Sequence, residues 1–176
     1  MHILFMILGV LSTIGVIIWR IQAASHAARE VYEFGKGAAN LPRRLAFRRK
    51  SGKRGSELVE DAREAATILM LEMARAGGEV SREQKDVIEG ILVSEFDFNA
   101  ENAEELLTQA AWVSAPEAGT DGLMRRMVKV IVKQVTDKEI VDLDEMLIRV
   151  SESEGQPKPE QLQVLQGFRS LTGVQA

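Results

Sequence analysis

Cysteine is absent from this chain of 176 residues, and histidine occurs only as His2 and His26. The missing thiols exclude disulfide bonds, thiolate metal sites and cysteine nucleophiles. Both histidines precede residues 56–176, where we expect the folded domain, so the usual pairs of nucleophile and general base cannot form there. The sequence therefore predicts a protein without enzymatic activity, catalytic residues or a bound organic cofactor.

Sustained alternation of apolar and polar residues is also missing, and aromatic residues make up only 5% of the chain. Apolar residues recur instead at helical spacing, which indicates amphipathic helices. The pattern predicts six helices after residue 55 and thus an all-α bundle. Their expected starts are Ser56, Arg82, the residue after Asn99, the region of Leu123, Thr136, and Pro157 or Pro159.

Each predicted helix is expected to bury one apolar face, and the first and the last are given as examples. The first is expected to run from Ser56 to Ala76 with one apolar face, and Ser56 is a suitable N-cap. The last is expected to bury a stripe made of Leu162, Leu165, Phe168 and Leu171.

Charge is divided sharply along the chain. Residues 20–55 carry ten basic and two acidic side chains, whereas residues 56–176 carry 12 basic and 24 acidic ones. Such asymmetry indicates that the two parts meet different surroundings. The acidic part suits basic proteins or cations as partners and disfavours nucleic acid.

A long uncharged run occupies residues 3–19, ILFMILGVLSTIGVIIW. As a helix it would span roughly 25 Å at about 1.5 Å per residue, the short end of a membrane crossing. Trp19 and Arg20 follow the pattern of an interfacial aromatic and a cytoplasmic charge. We predict an uncleaved transmembrane anchor over residues 1–19, with the N-terminus outside and the remainder in the cytoplasm. A cleaved signal peptide and a buried core helix are the alternatives.

Small residues form a stripe within this run, at Gly9, Ser12, Thr13 and Gly15. Small side chains allow spanning helices to approach closely, so a homo-oligomer through this stripe is a further hypothesis.

Residues 20–55 are predicted to be a basic juxtamembrane segment and linker. Their basic cluster consists of Arg43, Arg44, Arg48, Arg49, Lys50, Lys53 and Arg54. Next to a membrane span, such charges are expected to contact anionic lipid headgroups, at about 1 kcal/mol each. Nucleic-acid binding is the alternative, but it would be expected to bring aromatic platforms that this segment lacks.

The stretch ARAGGEVSREQKDVIEGIL, residues 74–92, has a counterpart 77 residues further on. Gly78 matches Gly155, and the pair Glu83–Gln84 matches Glu160–Gln161. Apolar positions of the flanking helices match in the same register. We interpret this as an internal duplication of a helical hairpin, with chance similarity of two helix turns as the alternative.

The duplicated pattern A-x-A-G-G-E-V-S-x-E resembles the TerB-like family, which includes tellurite-resistance TerB proteins and a region of the membrane-anchored J-domain co-chaperone DjlA. The resemblance covers about residues 56–174. It implies an all-helical fold, a bacterial inner-membrane location in the manner of DjlA, and in some members an acidic, metal-associated surface. No His-Pro-Asp motif occurs, so we expect no J domain.

The resemblance also implies a candidate metal site in the two turns, formed by Glu79, Glu83, Glu154 and Glu160. The family pattern has Asp before the turn glycine, where this chain has Gly77 and Glu154. A hard cation needs several converging oxygens. The alternative is a plain helical joint, in which the glycines end one helix and Ser81 caps the next.

Together these features predict a membrane-tethered cytoplasmic interaction module, acting in envelope or metal (tellurite-type) stress. The alternative is a divalent-metal-binding or metal-responsive protein that uses the acidic turns.

Overall fold

Six α-helices make up most of residues 55–174, the part of the chain that the computed structural model describes. They are α1 (Ala62–Ala76), α2 (Arg82–Phe96), α3 (Ala100–Ser114), α4 (Asp121–Ile131), α5 (Asp137–Glu152) and α6 (Pro159–Thr172). Short 3-10 helices occur at Gly55–Leu58 and Ala115–Glu117. No residue between 55 and 174 lies in a strand. The predicted all-α class is confirmed, whereas the predicted anchor and basic cluster lie outside the described residues.

Most helix starts lie where local capping chemistry predicts them. Asn99 accepts a hydrogen bond from the Asn102 backbone at the start of α3, and a Thr120 cap begins α4. Thr136 and Glu139 form the capping box that begins α5. These caps satisfy N–H groups that have no partner within the helix, which fixes the helix start locally.

The predicted start of the first helix at Ser56 is wrong. The 3-10 helix Gly55–Leu58 ends there, and α1 begins only after Asp61, whose carboxylate accepts from the Arg63 backbone N–H at 2.8 Å. Ser56 is buried, and its hydroxyl donates to Glu117 Oε1 at 2.7 Å. The serine is therefore used in a long-range contact, and Asp61 takes the capping role.

Helix α1 lies at the centre of the bundle. Every residue from Glu64 to Ala74 is buried, on all sides of the helix. It contacts α3, α4, α5 and α6 as well as its hairpin partner α2. A single apolar face was expected, but enclosure by five helices buries the remaining sides as well.

The predicted apolar stripe of α6 is partly wrong. Leu162 and Leu171 are 45% and 43% exposed, whereas Leu165 and Phe168 are buried as expected. The buried stripe begins at Gln161, which is 3% exposed and donates to the backbone carbonyl of Met73 at 3.2 Å. This hydrogen bond fixes the rotation of α6 so that Leu162 faces solvent.

Among the helices of residues 55–174, none combines the length and the apolar character that a membrane crossing requires.

Candidate functional site

The two glycine turns have the same local geometry. Gly78 and Gly155 have φ of 128° and 113°, a region open to glycine and strained for other residues. Gly78 N donates to Arg75 O at 2.9 Å, and Gly155 N donates to Glu152 O at 3.0 Å. These bonds are 77 residues apart, as are the glycines. The two hairpins, α1–α2 and α5–α6, therefore end their first helix in the same way.

The start of α6 contacts the first turn directly. Lys158 Nζ donates to the carbonyl oxygen of Gly77, and Gln161 Nε2 donates to that of Met73 at 3.2 Å. In a regular α-helix Gly77 N would donate to Met73 O, but here it donates to Ala74 O. Met73 O is therefore available to accept from Gln161. Two carbonyl oxygens that could face a cation are thus bonded to side chains of the other hairpin. The first turn is a joint between hairpins.

The four glutamates proposed as metal ligands are all exposed. Glu83 and Glu160 lie in the first turns of α2 and α6, where a carboxylate complements the helix dipole. No group of three or more acidic, histidine or cysteine side chains in the described part of the chain is arranged to hold a metal ion. The metal site remains a prediction from the resemblance, and the ammonium group of Lys158 at Gly77 opposes a cation there.

A buried ion pair ties α1 to the loop before α4. Arg75 Nη1 lies 2.5 Å from Glu72 Oε1 and donates to Ser114 Oγ at 2.7 Å. The other Glu72 oxygen accepts from Gly119 N at 2.6 Å. The charges satisfy each other and the loop backbone, which compensates the burial of Glu72 and the partial burial of Arg75.

A groove of about 420 Å³ opens where the ends of α1, α2, α4 and α5 meet. Its floor is apolar and consists of Ala66, Phe96, Ile131, Val135, Leu143 and Met146. Its rim carries four carboxylates and one guanidinium, namely Glu95, Asp97, Glu139, Asp142 and Arg63. We call this feature the acidic groove. Apolar lining with a few charged groups is typical of binding sites.

Part of the rim is held by local hydrogen bonds. The backbone N–H and the hydroxyl of Thr136 donate to Glu139 at 2.7 and 2.8 Å, and they lower the pKa of Glu139. Glu95 Oε1 lies 3.1 Å from Arg149 Nη1. Both carboxylates therefore have partners within this chain beside the apolar floor.

The Arg63 guanidinium lies at one corner of the acidic groove. It lies 3.3 Å from Asp61 Oδ2 and 5.1 Å from the centre of the Phe98 ring. These two contacts hold Arg63, the only basic side chain of the lining, against Asp61 and Phe98. The net charge of the rim is negative.

The acidic groove was not predicted from the sequence. Its lining comes from four separated stretches, and the only local signal was the pair Phe96 and Phe98 beside a loop. Both rings are partly buried and pack against the core. Trp112 is likewise partly buried and packs against the core.

The described fold defines a class, an all-helical bundle in which the hairpins α1–α2 and α5–α6 pack together with α3 and α4, and α1 lies at the centre. Residues 63–176 match the family described as Tellurite resistance protein TerB. This match covers more than half of the chain, which therefore belongs to the TerB family. Neither the curated proteins nor the solved structures give a significant match.

Proposed function

We propose that the chain is a non-enzymatic interaction module of the TerB family, tethered to a bacterial inner membrane with its domain in the cytoplasm. The observation that carries this proposal is the order of three segments. An uncharged run at residues 3–19 is followed by the basic cluster and then by an acidic helical domain. A membrane span with cytoplasmic positive charge has this order.

The acidic domain supports the binding part of the proposal. Residues 56–176 carry twice as many acidic as basic side chains, which disfavours approach to an anionic leaflet. The acidic groove adds an apolar surface framed by carboxylates. A basic protein segment with apolar side chains would fit this surface. We propose that such binding serves a response to envelope or metal (tellurite-type) stress.

Carbonate extraction of membranes tests the anchor. We expect full-length protein to remain in the pellet and an Ile7→Arg, Ile14→Arg variant to be released, because each arginine costs about 2.5–3.5 kcal/mol at a span centre. Ser12→Ala is the matched control and should remain in the pellet. Release of the unmodified protein by carbonate would overturn the anchor.

The absence of cysteine gives a direct test of orientation. A single cysteine at Glu101, exposed at the start of α3, should react with a membrane-impermeant maleimide only after the inner membrane is opened. Labelling in intact spheroplasts would place the domain outside and contradict the proposal.

Calorimetry separates this proposal from divalent-metal binding. Full-length protein in zwitterionic micelles should give no heat and no change in Tm with Ca²⁺, Mn²⁺ or Zn²⁺. Saturable binding that Glu79→Gln and Glu83→Gln abolish would support the metal-binding alternative.

A further inference from the structure

The acidic groove has the features of a docking surface for an extended or helical peptide. Its floor combines buried side chains such as Leu143 and Ile131 with half-buried ones such as Phe96 and Val135. An apolar group that covers half-buried apolar side chains removes their surface from water. This burial favours binding by about 25 cal/mol per Å² of apolar surface. The ends of four helices fix the shape of this floor.

The rim selects the charge of an occupant. Asp97, Glu139 and Asp142 line the groove, together with Glu95, which is paired with Arg149, and with Arg63, which contacts Asp61 and Phe98. An anionic lipid headgroup or an acidic peptide would be repelled. A segment with several arginines or lysines and a few apolar side chains would meet complementary groups on both floor and rim.

The same chain contains such a segment. Residues 41–54, LPRRLAFRRKSGKR, hold seven basic side chains and no acidic one, with Leu41, Leu45 and Phe47 interspersed. We call this stretch the basic segment. It is covalently joined to the domain immediately before Gly55.

The tether is long enough to bring the basic segment into the acidic groove. Ala62, a residue of the lining, is seven residues after Gly55, so the two lie at most roughly 25 Å apart. Phe47 is eight residues before Gly55 and can extend roughly 28 Å from it. The 3-10 helix at Gly55–Leu58 shortens the first distance further. Phe47 can therefore reach the Ala62 edge of the groove when residues 48–54 are extended.

A short tether also raises the local concentration of the segment. A short tether that spans two sites gives an effective concentration in the millimolar range, so that even a weak site is occupied by its own chain. A separate basic protein would have to compete with this intramolecular ligand. The basic segment is thus the favoured occupant.

We propose that the acidic groove binds the first half of the basic segment, residues 41–47 of the same chain, with Leu45 and Phe47 on the apolar floor and Arg43 and Arg44 against the rim, while residues 48–54 span the distance from Gly55. The docking uses the same side chains that would contact lipid headgroups, so groove and anionic membrane compete for one segment. It does not depend on the anchor, because the contact is within one molecule.

Distance measurements between paired spin labels test the docking in full-length protein in zwitterionic detergent micelles. The cysteine-free chain allows labels at Ala46→Cys, within the basic segment, and at Lys138→Cys, exposed beside Glu139. We expect a short, narrow distance distribution. The pair Ala46→Cys and Arg82→Cys, with Arg82 at the opposite end of α2 from Phe96, should give a longer distance.

Charge neutralisation provides the decisive comparison. Asp97→Asn with Asp142→Asn should broaden the short distribution, as should raised salt, because the contact is electrostatic. Glu101→Gln with Glu104→Gln removes the same number of charges outside the groove and should leave it narrow. Asparagine tolerates the left-handed backbone of Asp97, whose φ is 58°.

Two results would overturn the proposal. One is a broad distribution of the distance between the labels at Ala46→Cys and Lys138→Cys that the double variant Asp97→Asn, Asp142→Asn does not change. That result is expected if the segment lies on the micelle or binds no surface. The other is a short distance to Arg82→Cys, which would locate the segment elsewhere on the domain. Circular dichroism of each variant checks that the helices are retained.

Discussion

Gln161 links the two hairpins at the scale of a single side chain. It is buried, it accepts from Lys158 N at 3.0 Å in its own helix, and it donates to Met73 O in α1. A Cβ atom added at Gly77 would lie 3.0 Å from Gln161 Nε2 and 3.2 Å from Gln161 Cδ. Glycine at this position therefore leaves room for the Gln161 side chain.

Replacing Gly77 by Asp, as in the family pattern, is expected to destabilise this protein. The new side chain displaces Gln161 and leaves Met73 O buried without its partner, a loss of about 1–3 kcal/mol. A carboxylate at the C-terminal end of α1 is also unfavourable for the helix dipole. Denaturant unfolding measures the effect.

Gly90→Ala is the matched control for that substitution. Gly90 lies inside α2, and an added Cβ would meet no atom within 4 Å. Alanine should therefore stabilise the protein by about 0.5–1 kcal/mol. Equal stability of Gly77→Asp and the unmodified protein would contradict the role assigned to Gln161.

Glu89 on α2 gives a prediction about pH. Partial burial, Glu104 and Asp86 raise its pKa, and Lys85 opposes them. Because folding raises this pKa, the favourable contribution of Glu89 is greatest below its ordinary value of 4.5 and falls as the pH rises through the folded value.

Glu89→Gln should consequently raise the free energy of unfolding at pH 7, by less than about 1 kcal/mol because the site is partly solvated. The gain should shrink as the pH approaches 4.5. Denaturant unfolding across this range measures it, and Glu101→Gln, at an exposed site, serves as the control. A gain that grows on acidification would refute the assigned cause.

At the scale of helices, the hairpin α5–α6 is closed by a paired contact. Arg169 Nε and Nη2 donate to the two oxygens of Asp144 at 2.8 and 2.7 Å, and Asp144 is 5% exposed. This contact raises the pKa of Arg169. A planar guanidinium matches a carboxylate through two parallel bonds, which fixes the register between the helices.

Asp144→Ala should destabilise the protein by about 2–4 kcal/mol, because it leaves a guanidinium partly buried without its partner. Arg82→Ala is the control, since the Arg82–Asp86 pair has side chains 89% and 67% exposed at 4.0 Å. It should change stability by less than about 0.5 kcal/mol. Thermal and denaturant unfolding measures the effects of Asp144→Ala and of the control. The single variant Arg169→Ala and the double variant Asp144→Ala, Arg169→Ala complete the cycle that shows whether the pair is coupled.

Helix starts could mostly be predicted from the sequence because capping is local, whereas the edges of the buried faces could not. Thr136 and Glu139 are three residues apart and form their capping box alone. The exposure of Leu162 depends on Gln161 bonding to Met73, 88 residues away. The wrong start at Ser56 has a similar reason, because Glu117 draws the serine into a distant contact.

At the scale of the whole molecule, the acidic groove shows the same limit. Its lining joins residues 62–66, 95–97, 131–135 and 139–146, and no spacing within one helix reveals that they meet. The acidic turns were visible as a repeat, but a repeat in sequence does not bring its carboxylates together. The composition did reveal the division of charge between residues 20–55 and residues 56–176. This division makes the charges of the basic segment and the acidic groove complementary.

The central position of α1 leads to a prediction for the stability of the whole bundle. Since residues 64–74 are buried on all sides and α1 contacts every other helix, its amides cannot open without separating the bundle. We expect the amides of residues 68–74 to exchange hydrogen only through global unfolding, with a protection free energy equal to that from denaturant.

The last turns of α6 provide the internal comparison. Ser170 and Leu171 are exposed, and the helix ends at Thr172 before Gly173, so amides there should exchange through local fraying at lower free energy. Native-state exchange read by NMR or mass spectrometry over a range of denaturant gives both values. If α1 exchanged through a local opening that denaturant hardly affects, the hairpins would be independently stable units and α1 would not be their shared core.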